Sequence, residues 1–347
     1  MSPQSTSSLP TDPATLPVMP PAPVPAIDDG AYNSARRAAL VDYARDTIRH
    51  GSHSFSAASR LFDPVTRERA WLLYAWCRRC DDIADNQDMG GELGDQSDLD
   101  ARLALINRLT AKAFAGEECG DPAFDALGVV ARECGLTEAM AQDVIAGFAL
   151  DAADWRPRTE ADMMRYCYHV AGAVGVMMAV VMGVDPDDTD TLDRANDLGL
   201  AFQLSNIARD VVEDDAAGRC YLPIEWLVEQ DIEPGQHTKP HHRKELAAMI
   251  ARLVALVEKH EAAARVGAER LPFRSRWAVL SAARIYGAIG RKVRARGIDA
   301  WNNRTYVPRA QKALYGARAF LSAAINREKH PGGPITWGIA DFRPDPA

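Results

Sequence analysis

The chain has 347 residues, 47% hydrophobic and 25% charged, which supplies enough apolar mass for one large domain or two ordinary ones. Forty Lys and Arg against 48 Asp and Glu leave a net charge of −8, which argues against nonspecific nucleic-acid binding as the main task. Six cysteines, at 77, 80, 119, 134, 167 and 220, are too sparse for a secreted disulfide scaffold and suit a reducing compartment.

In chain order, the first 30 residues are rich in Pro, Ser and Thr and read as a disordered tail, neither signal peptide nor membrane anchor. From about Ala31 apolar residues recur every three or four positions and alternating β-branched runs are nearly absent, so the chain reads as all-α. The pattern predicts helices near 33–50, 66–86, 98–115, 121–134, 137–153, 159–184, 188–214, 243–271, 274–297 and 305–325. Loops are expected at "NQDMGGELGDQSD" (86–98) and "EQDIEPGQHTKPHH" (229–242). No repeat and no linker divides the helical region, so one domain over 31–325 is expected, followed by an irregular tail over 326–347. The apolar stretch "VAGAVGVMMAVVMGV" (170–184) is too short to span a bilayer and reads as a buried core helix, so any membrane contact is peripheral. Cys77 and Cys80 form a CxxC inside a helical pattern, with no second pair at zinc spacing. His237, His241 and His242 fall in the second loop and read as solvated.

Two stretches carry chemistry. "YAWCRRCDDIADNQ" (74–87) ends an apolar helix with three aspartates in five positions, and Asp81 and Asp85 are four apart. "FQLSNIARDVVEDDAAGRCYLP" (202–223) spaces Asn206, Asp210 and Asp214 at four, placing all three on one helical face. Carboxylates on successive turns repel one another unless a cation sits between them. Two such faces offer oxygen ligands for hard divalent ions and leave positions for water and phosphate oxygens. Arg78, Arg209 and Arg219 lie beside these acids, where guanidinium forks match phosphate oxygens or neutralise the neighbouring carboxylates as ordinary helical pairs.

Together the two stretches resemble the aspartate-rich motifs of the head-to-head trans-isoprenyl diphosphate synthases, the squalene and phytoene synthases, and within them the bacterial phytoene synthases. "SHSFSAASRLF" (52–62), "YCYHVAGAVG" (166–175) and "AARIYGAIG" (282–290) extend the resemblance over roughly 35–315. It implies a single helical bundle of the isoprenoid-synthase type around a central cavity. It also implies joining of two geranylgeranyl diphosphates to phytoene through a cyclopropyl diphosphate, with loss of diphosphate, as a step of carotenoid synthesis. By resemblance the candidate metal positions are Asp81, Asp85, Asn206, Asp210 and Asp214, holding Mg²⁺ or Mn²⁺, with no NADPH. The candidate catalytic set is Asp81, Asp85, Asp210, Asp214, Arg78 and Tyr286. The candidate substrate contacts are Ser52, Ser54, Phe55, Tyr74, Arg78, Tyr166, Gln203, Asn206, Arg209, Arg219, Tyr221 and Arg304. His53 stands between the two serines, where relatives carry a basic residue. Ala171, Gly172, Gly175, Val176 and Ala179 read by periodicity as close helix packing, whereas the resemblance makes them room for long prenyl tails. The implied partners are prenyl diphosphates and downstream carotenoid enzymes. The implied location is the cytoplasm, with peripheral contact at the inner membrane surface. Squalene, dehydrosqualene or hydroxysqualene synthase on farnesyl diphosphate is the alternative, and a catalytically silent assembly protein of the same fold a more remote one.

Overall fold

The computed structural model describes residues 34–87, 98–152, 155–325 and 336–343. The proline-rich tail and most of the 86–98 loop lie outside the described residues. Among those described every element is helical.

Local chemistry sets most of the ends. After α1 (Ser34–Gly51), Ser52 Oγ accepts from the N–H of Phe55 and opens the short α2 (His53–Ser59). Asp63 accepts from the N–H groups of Val65 and Thr66 and, with Pro64 in the first turn, starts α3 (Pro64–Ala84). α4 (Leu99–Ala115) stops at Gly116 and α5 (Pro122–Cys134) at Gly135, with φ of 76° and 77°, a left-handed conformation that a glycine adopts without strain. α6 (Glu138–Ala152) follows. α7 (Glu160–Cys167) opens with a capping box between Thr159 and Asp162.

The single helix expected over 159–184 is interrupted. A π turn at Tyr168–Gly172 separates α7 from α8 (Ala173–Val181), and residues 170–184 are so uniformly apolar or small that the shift in helical phase leaves no mark in the hydrophobic pattern. The run Glu160–Val181 is long and apolar enough to cross a membrane by composition, yet two thirds of its most apolar 18-residue window is buried inside the protein, as a core helix would be.

α9 (Thr189–Ala216) is the spine: 28 residues, about 42 Å, packed against α8 and two later helices, α11 (Arg243–Ala268) and α12 (Phe273–Arg296). A five-residue α10 (Ile224–Val228) precedes them and α13 (Arg309–Ile325) closes the set against α12. The helix predicted from 305 begins four residues later, because Pro308 disfavours helical backbone at the residue before it and has no N–H to donate within a preceding turn. On the other side α1, α3 and α5 enclose Ile48, Leu72, Leu73, Trp76 and Phe124, all essentially without exposure.

The histidine loop departs from expectation at one residue. His241 and His242 are solvent-accessible, but His237 is fully buried, 3.9 Å from Asp215, and burial holds its imidazole below the ordinary value. Composition marks this loop as polar, and only the fold decides which side chain turns inward.

Candidate active site

The first carboxylate pair closes α3. Asp81 lies one turn before Asp85, and Asp85 caps the helix with its own N–H bonded to the Asp81 carbonyl at 2.9 Å. Arg78 forks across the pair's base, 3.0 Å from Asp81 and 2.8 Å from the buried Asp82. Asp82 is therefore a structural partner of Arg78, while Asp81 and Asp85 remain half-buried. Tyr74, one turn earlier, meets the Phe55 ring edge-on with centroids 5.7 Å apart.

The second set runs along α9, where Gln203, Asn206, Asp210 and Asp214 are half-buried on one face. Arg209 donates from both its Nε and Nη2 to Asp210, and Arg304 stands 3.0 Å from the same carboxylate. Arg304 reaches it because its loop is pinned. Trp301 Nε1 donates to the Ala208 carbonyl at 3.1 Å, and Arg296 donates to the Asn303 carbonyl and the Thr305 hydroxyl. One turn before Asn206, Phe202 stacks with Tyr286 of α12, their centroids 4.0 Å apart. Arg78 and Arg209 thus hold carboxylates in this structure, the second of the two roles their sequence positions allow, and Arg304 does the same.

A residue outside the sequence-predicted set ties the two motifs together. Asp151, at the end of α6, accepts from the hydroxyls of Tyr166 at 2.9 Å and Tyr221 at 3.3 Å, and those two rings stack at 4.7 Å. Trp155 stacks on the other side of Tyr166. Burial raises the Asp151 carboxyl above its usual range, opposed by the Tyr166 hydrogen bond and by Arg219 and reinforced by Asp85. Burial, with Asp85, Asp82 and Asp151 adding repulsion against Arg78, pushes Asp81 up to about 6. Burial and Asp210, against Arg219, do the same to Asp214, also about 6. Arg219 follows α9 through a turn at Gly218 (φ 79°), and its field reaches Asp85, Asp151 and Asp214. The two acidic motifs, Asp151 and Arg219 form one electrostatic neighbourhood. The only sequence signal for Asp151 is an acid closing an apolar helix before Trp155; the two tyrosines that flank it come from 15 and 70 residues away.

Among the described residues no three His, Cys, Asp or Glu side chains gather closely enough to hold a metal unaided. Ser52 Oγ caps α2, and the side chains of His53 and Ser54 lie outside the described residues. The small-residue stretch corrects the expectation of room for prenyl tails at two positions. A Cβ on Gly172 would lie 2.2 Å from Asn196 Oδ1, and one on Gly175 2.7 Å from the Ala195 carbonyl. These glycines let α8 and its π turn approach the backbone of α9.

The family profile for squalene/phytoene synthase matches residues 48–311, and the chain belongs to that family. It is 46% identical over 310 residues to a phytoene synthase from Pseudescherichia vulneris, covering 89% of this chain and 96% of that protein. It is 42% identical over 298 residues to a 15-cis-phytoene synthase from Pantoea ananas, covering 85% and 96%. Among solved structures a ligand-bound dehydrosqualene synthase superposes with a TM-score of 0.72 at 27% identity, over 82% of this chain and 96% of that one.

Proposed function

We infer that the chain is a prenyltransferase that condenses two geranylgeranyl diphosphates head to head into phytoene and releases diphosphate. The observation that carries this reading is the joint electrostatic neighbourhood of Asp81, Asp85, Asp210 and Asp214. Two helices present half-buried carboxylates, and burial together with acidic neighbours pushes Asp81 and Asp214 up to about 6, a crowding of negative charge that a divalent cation would relieve. The names of the bacterial relatives support the same substrate and product.

The donor set is oxygen only, which fits a hard cation. Asp81, Asp85, Asn206, Asp210 and Asp214 would hold Mg²⁺, and with no three carboxylates gathered at one point the remaining positions fall to diphosphate and water oxygens. Bound there, the ion neutralises charge that grows on the departing diphosphate. Arg78, Arg209 and Arg304 lie within reach of the same oxygens and would exchange a carboxylate for a phosphate, an exchange their forks suit. Loss of diphosphate leaves an allylic cation; the second prenyl chain attacks it through its double bond, and loss of one proton closes the cyclopropyl diphosphate. The second diphosphate then departs, rearrangement joins the two first carbons and a second proton leaves. The Phe202–Tyr286 pair and the Phe55–Tyr74 pair offer aromatic faces and exclude water from such cations.

Incubation with geranylgeranyl diphosphate and Mg²⁺ tests the reading: phytoene should form, EDTA should stop it, added Mg²⁺ should restore it, and NADPH should change neither rate nor product. Squalene made from farnesyl diphosphate only with NADPH, with no turnover of the longer substrate, would establish the alternative.

A further inference from the structure

Charge is segregated along this chain. Between Phe273 and Ile325 there are eleven Lys and Arg and one acid, Asp299, a net +10 inside a protein of net −8. Within that stretch Arg284, Gly287 and Arg291 follow one face of α12 over two turns, where α12 meets α11 on one side and α13 on the other.

From α11 comes Glu261, 3% exposed, which accepts from Arg291 at 2.5 Å and from Arg265 of its own helix at 2.6 Å. From α13 comes Ser322, whose hydroxyl accepts from Arg284 at 2.8 Å and donates to the Arg318 carbonyl at 3.0 Å. Four guanidinium groups thus gather where three helices meet, against the single carboxylate of Glu261. Glu258, one turn before it, does not relieve them, because Arg294 occupies both of its oxygens at 2.6 and 2.9 Å.

Three features mark this positive charge as uncompensated within the fold. Burial first, then the guanidinium of Arg265, hold Arg284 below its ordinary value, with Arg318 and Arg291 adding to a repulsion that Glu261 does not offset. The Nε of Arg284 is buried and has no hydrogen-bond partner among the described residues. A Cβ at Gly287 would lie 2.2 Å from Glu261 Oε2 and 2.9 Å from Arg291 Nη1, so a missing side chain lets the groups converge. Glycine is otherwise unfavourable in a helix interior.

Crowded guanidinium groups match a polyanion, since each fork can bond two phosphate oxygens at once. A single carboxylate from another chain would neutralise only one of the excess charges, whereas diphosphate brings several in one compact ion. We propose that Arg265, Arg284, Arg291 and Arg318 form a binding site for inorganic diphosphate at the seam of α11, α12 and α13, on residues separate from the catalytic carboxylates. The identity of the ion rests on the reaction proposed above, which releases two diphosphates for each phytoene.

Calorimetric titration of the full-length chain with inorganic diphosphate, in EDTA and without prenyl substrate, keeps the test apart from turnover. Without a divalent cation the carboxylates of the two acidic motifs repel the anion, so the heat reports the arginine site. Expected is saturable one-to-one binding that weakens steadily between about 0.05 and about 0.5 M salt. Arg318→Glu and Arg265→Gln should each weaken it about tenfold or more, at wild-type turnover and melting temperature, because both side chains are exposed. Arg304→Gln should bind as the wild type does. Wild-type affinity in Arg318→Glu and Arg265→Gln, loss of binding in Arg304→Gln, or equal affinity for acetate would overturn the site, the last by marking a general cationic surface. Phytoene synthesis by a wild-type chain that binds no diphosphate under these conditions would sink the site alone and leave the proposed reaction standing.

Discussion

Burial and neighbouring acids push both Asp81 and Asp214 up to about 6, so each resists ionisation unless a cation is near. If their task is to hold a cation, neutralising one carboxylate without changing its shape should remove transition-state stabilisation and little else. Asp81→Asn, Asp85→Asn, Asp210→Asn and Asp214→Asn should each lower turnover by about 10²-fold or more while melting near the wild-type temperature. Wild-type turnover in any of the four would remove that residue from the site. Asp151 makes the opposite case. Replacing it by Ala leaves two largely buried hydroxyls, Tyr166 and Tyr221, without their acceptor, at a cost of about 1–3 kcal/mol that a denaturation curve would resolve. The same change should slow turnover, because the stacked pair loses the acceptor that fixes it and Asp85 loses a charged neighbour. Tyr221→Phe, which removes only the longer hydrogen bond, should recover most of the stability. Unchanged stability in Asp151→Ala would show that the tyrosines find other partners.

At the scale of elements, the contact between α8 and α9 decides how the site's spine is held. A Cβ on Gly199 of α9 would lie 2.4 Å from the Ala171 carbonyl, a backbone atom that cannot swing aside. Gly199→Ala should therefore cost about 1–3 kcal/mol, and Gly175→Phe should fail to fold rather than shift chain-length preference. Soluble, active Gly175→Phe protein would restore the reading of this stripe as a cavity wall. The π turn between α7 and α8 has its own support from the end of the chain. Phe342 stacks on Tyr168 at 4.8 Å, Arg343 bonds Asp143, which also accepts from the Tyr168 hydroxyl, and the Trp337 carbonyl accepts from Asn196. This strap lies beyond residues 48–311, the span matched by the family. Phe342 is almost fully buried, so Phe342→Ala should cost about 3–5 kcal/mol. A melting temperature within a degree or two of wild type would show that the strap is not a support.

Across the whole molecule, ion pairs join helices that the apolar core alone would leave free to slide. Glu133 of α5 accepts from Arg37 of α1 and Arg69 of α3. Burial alone would raise its carboxyl, but the two guanidinium groups outweigh burial and hold it below the usual value of 4.5. A carboxyl lowered on folding contributes stability that is fully present above its unfolded value and is lost as pH falls through the folded one. Wild-type stability should therefore fall faster than that of Glu133→Gln between about pH 5 and about pH 3, as followed by urea midpoints. Parallel curves for the two proteins would show that the three-helix pair is not linked to protonation.

Periodicity made the all-α class legible, because 3.6-residue spacing survives in any amphipathic helix whatever it packs against. Spacing at four likewise put Asp81 with Asp85, and Asn206 with Asp210 and Asp214, since intrahelical geometry is local. The π turn, the inward turn of His237 and the late start of α13 were not legible in the hydrophobic pattern: in the first two backbone or side chain answers to neighbours distant in sequence, and in the third one proline overrides it. Asp151 shows the same limit inside the site, for a single acid at a helix end has no meaning until Tyr166, Tyr221 and Arg219 are brought to it. The small residues of 171–179 show it most directly. Sequence determined that side chains there are small, but whether small means a cavity or a close approach depends on the distance between two helix backbones. Only the packing of α8 on α9 sets that distance, because close-packed interiors assign each atom's space by what lies across from it.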